Sequence, residues 1–167
     1  MNNNPQVLIV MGSESDLPVM KESAKVLGEF GICCEMRISS AHRSPKRTAA
    51  LAAEAAGRGI KVIIAGAGMA AHLAGVMASE TVLPVIGVPM GGSALDGMDA
   101  LYSTVQMPGG IPVATMAIGK AGAKNAGIFA VQILSTSDER LVVALKDYRK
   151  RMAEEVEKKD AAIQQEF

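Results

Sequence analysis

The chain has 167 residues, with 17 Lys+Arg and 17 Asp+Glu. This length allows one domain with a sizeable core, and the neutral balance gives no electrostatic reason to expect nucleic acid or an anionic membrane as a partner. The apolar run after Gln6, VLIVM, is too short for a signal-peptide core or a membrane span, so we expect a cytoplasmic protein. Adjacent Cys33 and Cys34 favour neither a disulfide framework nor a metal site.

Strand and helix patterns alternate along the chain. The apolar run 6–11 indicates a strand buried on both faces of a parallel sheet, and further strand patterns cover 32–38, 61–65, 84–88 and 112–118. One helix is expected after Ser15 or Asp16, and the others are expected from Ser44 to Ala56 and over 70–80, 98–105 and 121–134. The alternation predicts an α/β fold, a three-layer α/β/α sandwich with a central parallel sheet.

Charge is distributed unevenly. Between Val62 and Gly119 the only charged side chains are Glu80, Asp96 and Asp99. A small monomer must cover itself with polar surface, so we expect subunit contacts to cover part of this stretch. Residues 138–160 carry 14 charged side chains around apolar residues at helical spacing, which predicts an amphipathic C-terminal helix after a core of about 6–137. No linker interrupts the pattern, and a single domain over 1–167 is predicted.

The loops that follow the strands are the candidate site, because ligands of parallel sheets bind outside the carboxyl ends of the strands. The first loop, GSESD, joins a strand to a helix N-terminus, where free backbone N–H groups favour an anion. We interpret Gly12, Ser13, Ser15 and Asp16 as ligand-binding, with Asp16 accepting hydrogen bonds from sugar hydroxyls. The alternative is that Ser15 and Asp16 only cap the helix. Neither a Walker loop nor a dinucleotide fingerprint is present.

The second loop, SSAHRSP, surrounds one of the two histidines with polar side chains. Arg43 can bind a phosphate, Ser40 and Ser44 can add hydroxyls, and His42 can transfer a proton, as histidines do near neutral pH. The alternative is structural: Ser44 caps the next helix, Arg43 is a solvated charge and His42 is a satisfied loop histidine. We favour the functional interpretation. For His72, local backbone bonding or a position at an interface is favoured over a direct catalytic role.

Five segments occur in the order and spacing of a known family: VMGSESD, SAHRSP, IIAGAGMAAHLAG, PVIGVP and LYSTVQMPGGIPVATMAIGKAGAKNA. From about Val7 to Leu145 the chain resembles the PurE family, and more narrowly its class I, the N5-carboxyaminoimidazole ribonucleotide (N5-CAIR) mutases. The resemblance implies a flavodoxin-like fold and a step of de novo purine synthesis, transfer of a carboxylate from N5 to ring carbon C4 to give 4-carboxy-5-aminoimidazole ribonucleotide (CAIR). It also implies homo-octamers with shared active sites, and no metal, nucleotide or biotin cofactor.

The resemblance further implies roles for single residues. His42 falls on the catalytic histidine, which protonates nitrogen as the carbamate breaks and later assists proton removal from C4. The substrate-binding and phosphate-holding positions of the first two loops are Gly12, Ser13, Ser15, Asp16, Ser40, Ala41 and Arg43. In the third loop, the residues expected near the carboxylate or trapped carbon dioxide are Ala67, Gly68 and Met69, with Leu73 as part of the wall.

The third motif departs from the commonest family form. Met69 stands where glycine is frequent and Ala74 where proline is frequent, which bears on the shape of the loop. His72 matches the class I pattern and argues against the class II enzyme, which carboxylates aminoimidazole ribonucleotide with free carbon dioxide. That enzyme remains one alternative. The other is a flavodoxin-like module that binds a phosphorylated ligand without converting it and has no use for His42.

Overall fold

A computed structural model describes residues 4–165. The chain divides into two compact units, the first extending to Val131 and the second beginning at Gln132. A five-stranded sheet forms the centre of the first unit, and its strands are β1 Val7–Met11, β2 Cys34–Ile38, β3 Val62–Ala67, β4 Val85–Pro89 and β5 Ala114–Thr115. Every pairing is parallel and the order is β2-β1-β3-β4-β5, which is the flavodoxin-like order.

Helices cover both faces of this sheet. They are α1 Leu17–Glu29, α2 Pro45–Ala53, α3 Leu73–Ser79, α4 Met98–Val105 and α5 Gly119–Ser135, the last of which crosses into the second unit. Side chains of α2 and α3 share a buried cluster with Leu8 and Ile63 of the sheet. On the opposite face, the Ser23 hydroxyl of α1 donates to the Ala123 carbonyl of α5 at 2.6 Å. The predicted three-layer α/β/α sandwich is confirmed.

Burial explains why the strand patterns were readable. All five residues of β1 and of β4 are buried, because helices cover both faces of a parallel sheet and both sets of alternating side chains must be apolar. β2 lies at an edge and pairs only with β1, so its residues are half-buried or exposed, as the alternating pattern predicted. Because all pairings are parallel, the carboxyl ends of β1 to β4 lie along one edge of the sheet.

Several boundaries differ from the expected ones: β2 begins two residues late, at Cys34, and α2 ends three residues early, at Ala53. β3 extends two residues further than expected, to Ala67. β5 is only two residues long, since it is an edge strand and the proline at 112 has no N–H to donate. α3 begins at Leu73 rather than at 70, because Met69 has a left-handed backbone (φ 56°) and the His72 N–H closes a turn onto the Ala70 carbonyl. The segment before α3 is thus a loop.

The second unit contains the end of α5 and the helix α6, Glu139–Gln164. The Asp138 carboxylate caps α6 by accepting from the Arg140 N–H at 3.0 Å. The predicted C-terminal helix is confirmed and is a few residues longer than expected. Within residues 4–165, no helix combines the length and apolar character needed to cross a membrane. That residues 1–167 form a single domain stays a prediction.

Candidate active site

A cavity of about 470 Å³ lies at the carboxyl ends of β1 to β4, within the first unit. It is lined by the loop that follows each of these four strands. β1 and β3 are neighbours although the chain leaves β1 towards β2 and leaves β3 towards β4. Such a switch point opens a crevice between diverging loops, and the volume is in the range of small-molecule pockets.

The loop after β1 is a compact turn held by its own side chains. Ser13 Oγ accepts from the Ser15 N–H at 3.3 Å and from the Ser15 hydroxyl at 3.0 Å. The Asp16 carboxylate accepts from the Ser13 N–H at 3.1 Å, so it stands at the N-cap of α1 without a side-chain bond to that helix. Burial raises the pKa of Asp16, although backbone N–H bonds act in the opposite direction. The turn places these polar groups along the cavity.

The loop after β2 is closed by half-buried and buried hydroxyls. Ser44 Oγ donates to the Ser40 carbonyl at 3.0 Å and accepts from the Ser40 N–H at 3.1 Å. The Ser39 and Thr48 hydroxyls, both buried, are 2.8 Å apart. Ser44 occupies the N-cap position of α2, but its side chain makes no capping hydrogen bond to the helix. The expectation that its hydroxyl caps α2 is wrong, because the carbonyl and N–H of Ser40 are its partners instead.

The closed loop presents Ala41, His42 and Arg43 at its tip, where they line the cavity. Its shape is fixed further by Ser40 Oγ, which accepts from the Arg43 N–H at 3.2 Å. The Arg43 side chain is exposed and pairs with no acid among residues 4–165. An arginine without a carboxylate partner beside a polar cavity is suited to an anionic ligand group.

The loop after β3 brings the two histidines together. His42 Nε2 and His72 Nδ1 are 3.0 Å apart, and the rings meet edge to face. His72 Nδ1 also lies 2.9 Å from the Ala70 carbonyl oxygen. Ala67 and Gly68 add small groups to the wall, and buried Leu73 adds an apolar one.

All twelve residues proposed from the sequence line this one cavity, and their roles stay predictions. The cavity also includes residues that were not proposed, which are Ala70, His72, Met90, Gly91, Gly92 and Ser93. The rule that ligands bind at the carboxyl ends of strands predicts that these loops take part in the site. The glycines after β4 have no functional side chain, however, and the sequence does not single them out. Within the described residues, no group of three His, Cys, Asp or Glu side chains is arranged to hold a metal ion.

Comparison with known proteins agrees with this architecture. The family model for AIR carboxylase matches residues 6–155. The chain belongs to this family. One relative, the N5-carboxyaminoimidazole ribonucleotide mutase of Thermotoga maritima, is 55% identical to this chain over 161 residues. The alignment covers 96% of this chain and 93% of the relative. The enzyme of the same name from Mycobacterium leprae is 52% identical over 164 residues, covering 98% and 95%.

A solved structure extends the similarity to three dimensions. The crystal structure of Treponema denticola PurE superposes with a TM-score of 0.85 at 30% identity and covers 94% of this chain and 97% of that chain. The resemblance to PurE that the five sequence segments indicated is confirmed.

Proposed function

We propose that this member of the AIR carboxylase family is an N5-CAIR mutase that converts N5-CAIR to CAIR in purine biosynthesis. One observation carries the proposal: motif residues from three strand-end loops line a single cavity in a chain about half identical to enzymes of that name. The cavity is large enough for a small ribonucleotide, and its polar groups suit the parts of such a ligand.

The ligand is held at its polar ends. Arg43, which has no acidic partner among the described residues, binds the phosphate together with the Ser40 hydroxyl and backbone N–H groups of the loop after β1. Asp16 accepts hydrogen bonds from the ribose hydroxyls, which replace the water that its partly buried carboxylate has lost. The imidazole base then lies towards the two histidines.

His42 moves the proton that the rearrangement needs. Cleavage of the N5–carboxylate bond releases carbon dioxide, and His42 donates a proton to N5 to give aminoimidazole ribonucleotide. Ring carbon C4 then attacks the carbon dioxide, and His42 removes the C4 proton to give CAIR. No proton is gained or lost overall.

Enclosure of carbon dioxide is the second requirement. The cavity wall includes Ala67, Gly68 and Leu73, which offer no nucleophile to capture carbon dioxide. Held beside C4, the released molecule reacts at a high effective concentration, without chemical activation.

A label experiment tests the proposal. Purified protein is incubated without ATP, in unlabelled bicarbonate, with N5-CAIR that carries a carbon-13 carboxylate, and the label is followed by NMR. Retention of the label at C4 is the expected result. Product formed only from aminoimidazole ribonucleotide plus bicarbonate would establish the class II carboxylase instead, and no reaction in either mixture would leave a binding module.

The role of His42 is tested by His42→Asn. The variant is expected to lose about 10²- to 10⁴-fold in kcat, the usual share of general acid–base catalysis, and to keep its affinity for N5-CAIR within a few fold. Lys46→Asn is the matched control, because Lys46 is exposed on α2 and does not line the cavity. Unchanged turnover in His42→Asn would remove His42 from the mechanism.

We further propose that the enzyme works in the cytoplasm as a homo-octamer. α4 and the loop before it expose four large apolar side chains, which are Leu95, Met98, Tyr102 and Val105. In the second unit, α6 exposes Met152, Val156 and Ile163 at helical spacing. Burial of these groups between subunits is favourable, and light scattering is expected to give eight times the chain mass. A monomeric mass would refute the octamer and leave the chemistry to the label experiment.

A further inference from the structure

Met69 combines two unfavourable features at one position of the cavity wall. Its backbone is left-handed (φ 56°), which is costly for a residue with a Cβ, and 68% of its surface is exposed. The other large apolar side chains of the wall, Leu73 and Met90, are only 2% and 3% exposed. Among the described residues that line the cavity, Met69 is therefore the large apolar side chain that stays in contact with water. Strained non-glycine residues of this kind cluster at ligand sites.

The backbone on both sides of Met69 is held, whereas its side chain is free to move. The Ala67 carbonyl accepts from the Met90 N–H at 2.9 Å, which ties the end of β3 to the end of β4. The Ala70 carbonyl accepts from the His72 N–H, also at 2.9 Å. Beyond its Cβ, the methionine side chain is unbranched, rotates about several bonds and adapts to irregular surfaces. Met69 thus carries a mobile apolar group on a fixed point of the wall.

We propose that the Met69 side chain closes over the bound ribonucleotide and keeps carbon dioxide beside C4 until the new bond forms. This inference rests on the proposed function, in which carbon dioxide is released within the cavity. If carbon dioxide escapes instead, each N5-CAIR consumed takes up one proton and yields one aminoimidazole ribonucleotide and one carbon dioxide. An apolar cover excludes water and opposes this loss. A thioether also packs favourably against a flat ring such as the imidazole base.

A flexible cover suits a carboxylate that changes its position during the reaction. The carboxylate is on N5 in the substrate and on C4 in the product, so the shape of the bound molecule differs before and after the transfer. Exposed side chains change rotamer within picoseconds to nanoseconds, which is far shorter than an enzymatic turnover. Met69 can therefore remain in contact with both forms of the ligand.

The first test measures how the substrate is partitioned between two products. Wild type and variants receive N5-CAIR with a carbon-13 carboxylate in unlabelled bicarbonate, and a reaction without protein corrects for spontaneous loss of the carboxylate. Met69→Gly and Met69→Ala are expected to raise the ratio of aminoimidazole ribonucleotide to CAIR about tenfold, the factor that corresponds to loss of one buried apolar side chain. Label at C4 is expected to fall in parallel.

Three comparisons separate a cover from a general disturbance of the loop. Met69→Gly and Met69→Ala differ in backbone strain but lack the same thioether, so both are expected to lose carbon dioxide to the same extent. Met69→Leu keeps a large apolar side chain and is expected to stay within about threefold of the wild-type ratio. Val82→Ala is the matched control, because Val82 is 99% exposed and does not line the cavity.

The second test needs no variant. Hydrogen peroxide transfers one oxygen atom to a thioether sulfur, giving the sulfoxide and water. The rate of this oxidation at each methionine is measured by mass spectrometry of peptides, with and without saturating CAIR. Bound CAIR is expected to slow the oxidation of Met69 severalfold. The rate at Met152, which is half exposed on α6 and does not line the cavity, is expected to stay the same.

The outcomes distinguish this inference from the proposed function. In a protein that converts N5-CAIR to CAIR, equal product ratios in the wild type, Met69→Gly and Met69→Ala would overturn the cover. So would oxidation of Met69 at the same rate with and without CAIR. Circular dichroism and thermal melting report whether each variant folds, and the oxidation of the wild type decides the matter even when a variant does not. Absence of N5-CAIR turnover in the wild type would refute the proposed function separately.

Discussion

Met69 provides a test of how the site loop is strained. It has a left-handed backbone (φ 56°), and 68% of its surface is exposed. A residue with a Cβ pays about 1–2 kcal/mol for this conformation, whereas glycine adopts it freely. Glycine also loses more entropy on folding, which offsets about 0.4–1 kcal/mol of the gain. The net expectation is that Met69→Gly is about 1 kcal/mol more stable than Met69→Ala.

Met69→Ala is the matched control, because both variants lose the same partly exposed side chain beyond Cβ. About a third of that side chain is covered, so its removal costs each variant about 0.5–1 kcal/mol. Urea titration and thermal melting at one protein concentration measure the difference, which corresponds to about 2–4 °C in Tm for a chain of this length. Equal stability of Met69→Ala and Met69→Gly would show that the left-handed backbone at position 69 is not strained.

Three further predictions concern groups that support the fold and the cavity. Gly122→Ala is expected to lower the free energy of unfolding by about 1–3 kcal/mol or more, because the new Cβ would overlap a backbone carbonyl. Gly28→Ala, in open surroundings on α1, should instead raise it by about 0.5–1 kcal/mol. Urea titration measures both values, and similar effects of the two substitutions would contradict this explanation. Thr48→Val should cost about 1–3 kcal/mol, because it removes the closer partner of the buried Ser39 hydroxyl, at 2.8 Å, and the bond from the Thr48 hydroxyl to the Ser44 carbonyl. Ser39→Ala in the same chain should recover part of the loss, unless the bond between Ser39 and Thr48 contributes nothing. Because burial raises the pKa of Asp16, ionisation of the carboxyl destabilises the fold as the pH rises through the pKa of the folded state. Asp16→Asn should therefore be more stable than the wild type at neutral pH. This advantage should be lost below pH 3.8, the ordinary pKa of the group. The same variant should bind N5-CAIR about ten- to a hundredfold more weakly by calorimetry, and a pH-independent stability difference would contradict the role of burial.

Much of the fold was predictable because its signals are local. β1, β3 and β4 were located from their apolar runs, since a parallel sheet covered on both faces requires them, whereas the edge strand β2 was located from its alternating pattern. The least accurate boundaries were those of β5 and α3, where an edge strand and a left-handed residue interrupt the pattern. The residues of the cavity followed from the rule that ligands bind at the carboxyl ends of strands, combined with the motifs of the family.

The sequence by itself therefore determined the α/β order of elements, the family and twelve residues that share one cavity, because each of these depends on neighbours within a few positions or on motifs of fixed spacing. Only the tertiary structure decided which polar groups bond to which. The Ser44 hydroxyl had both a helix and a loop within reach, and packing selected the loop. His42 and His72 are 30 positions apart, and their contact depends on how β1, β2 and β3 are arranged in the sheet. Hydrogen bonds form only within a narrow range of donor–acceptor distances. The packed fold, and not the residue types alone, therefore selects which of the possible partners are bonded.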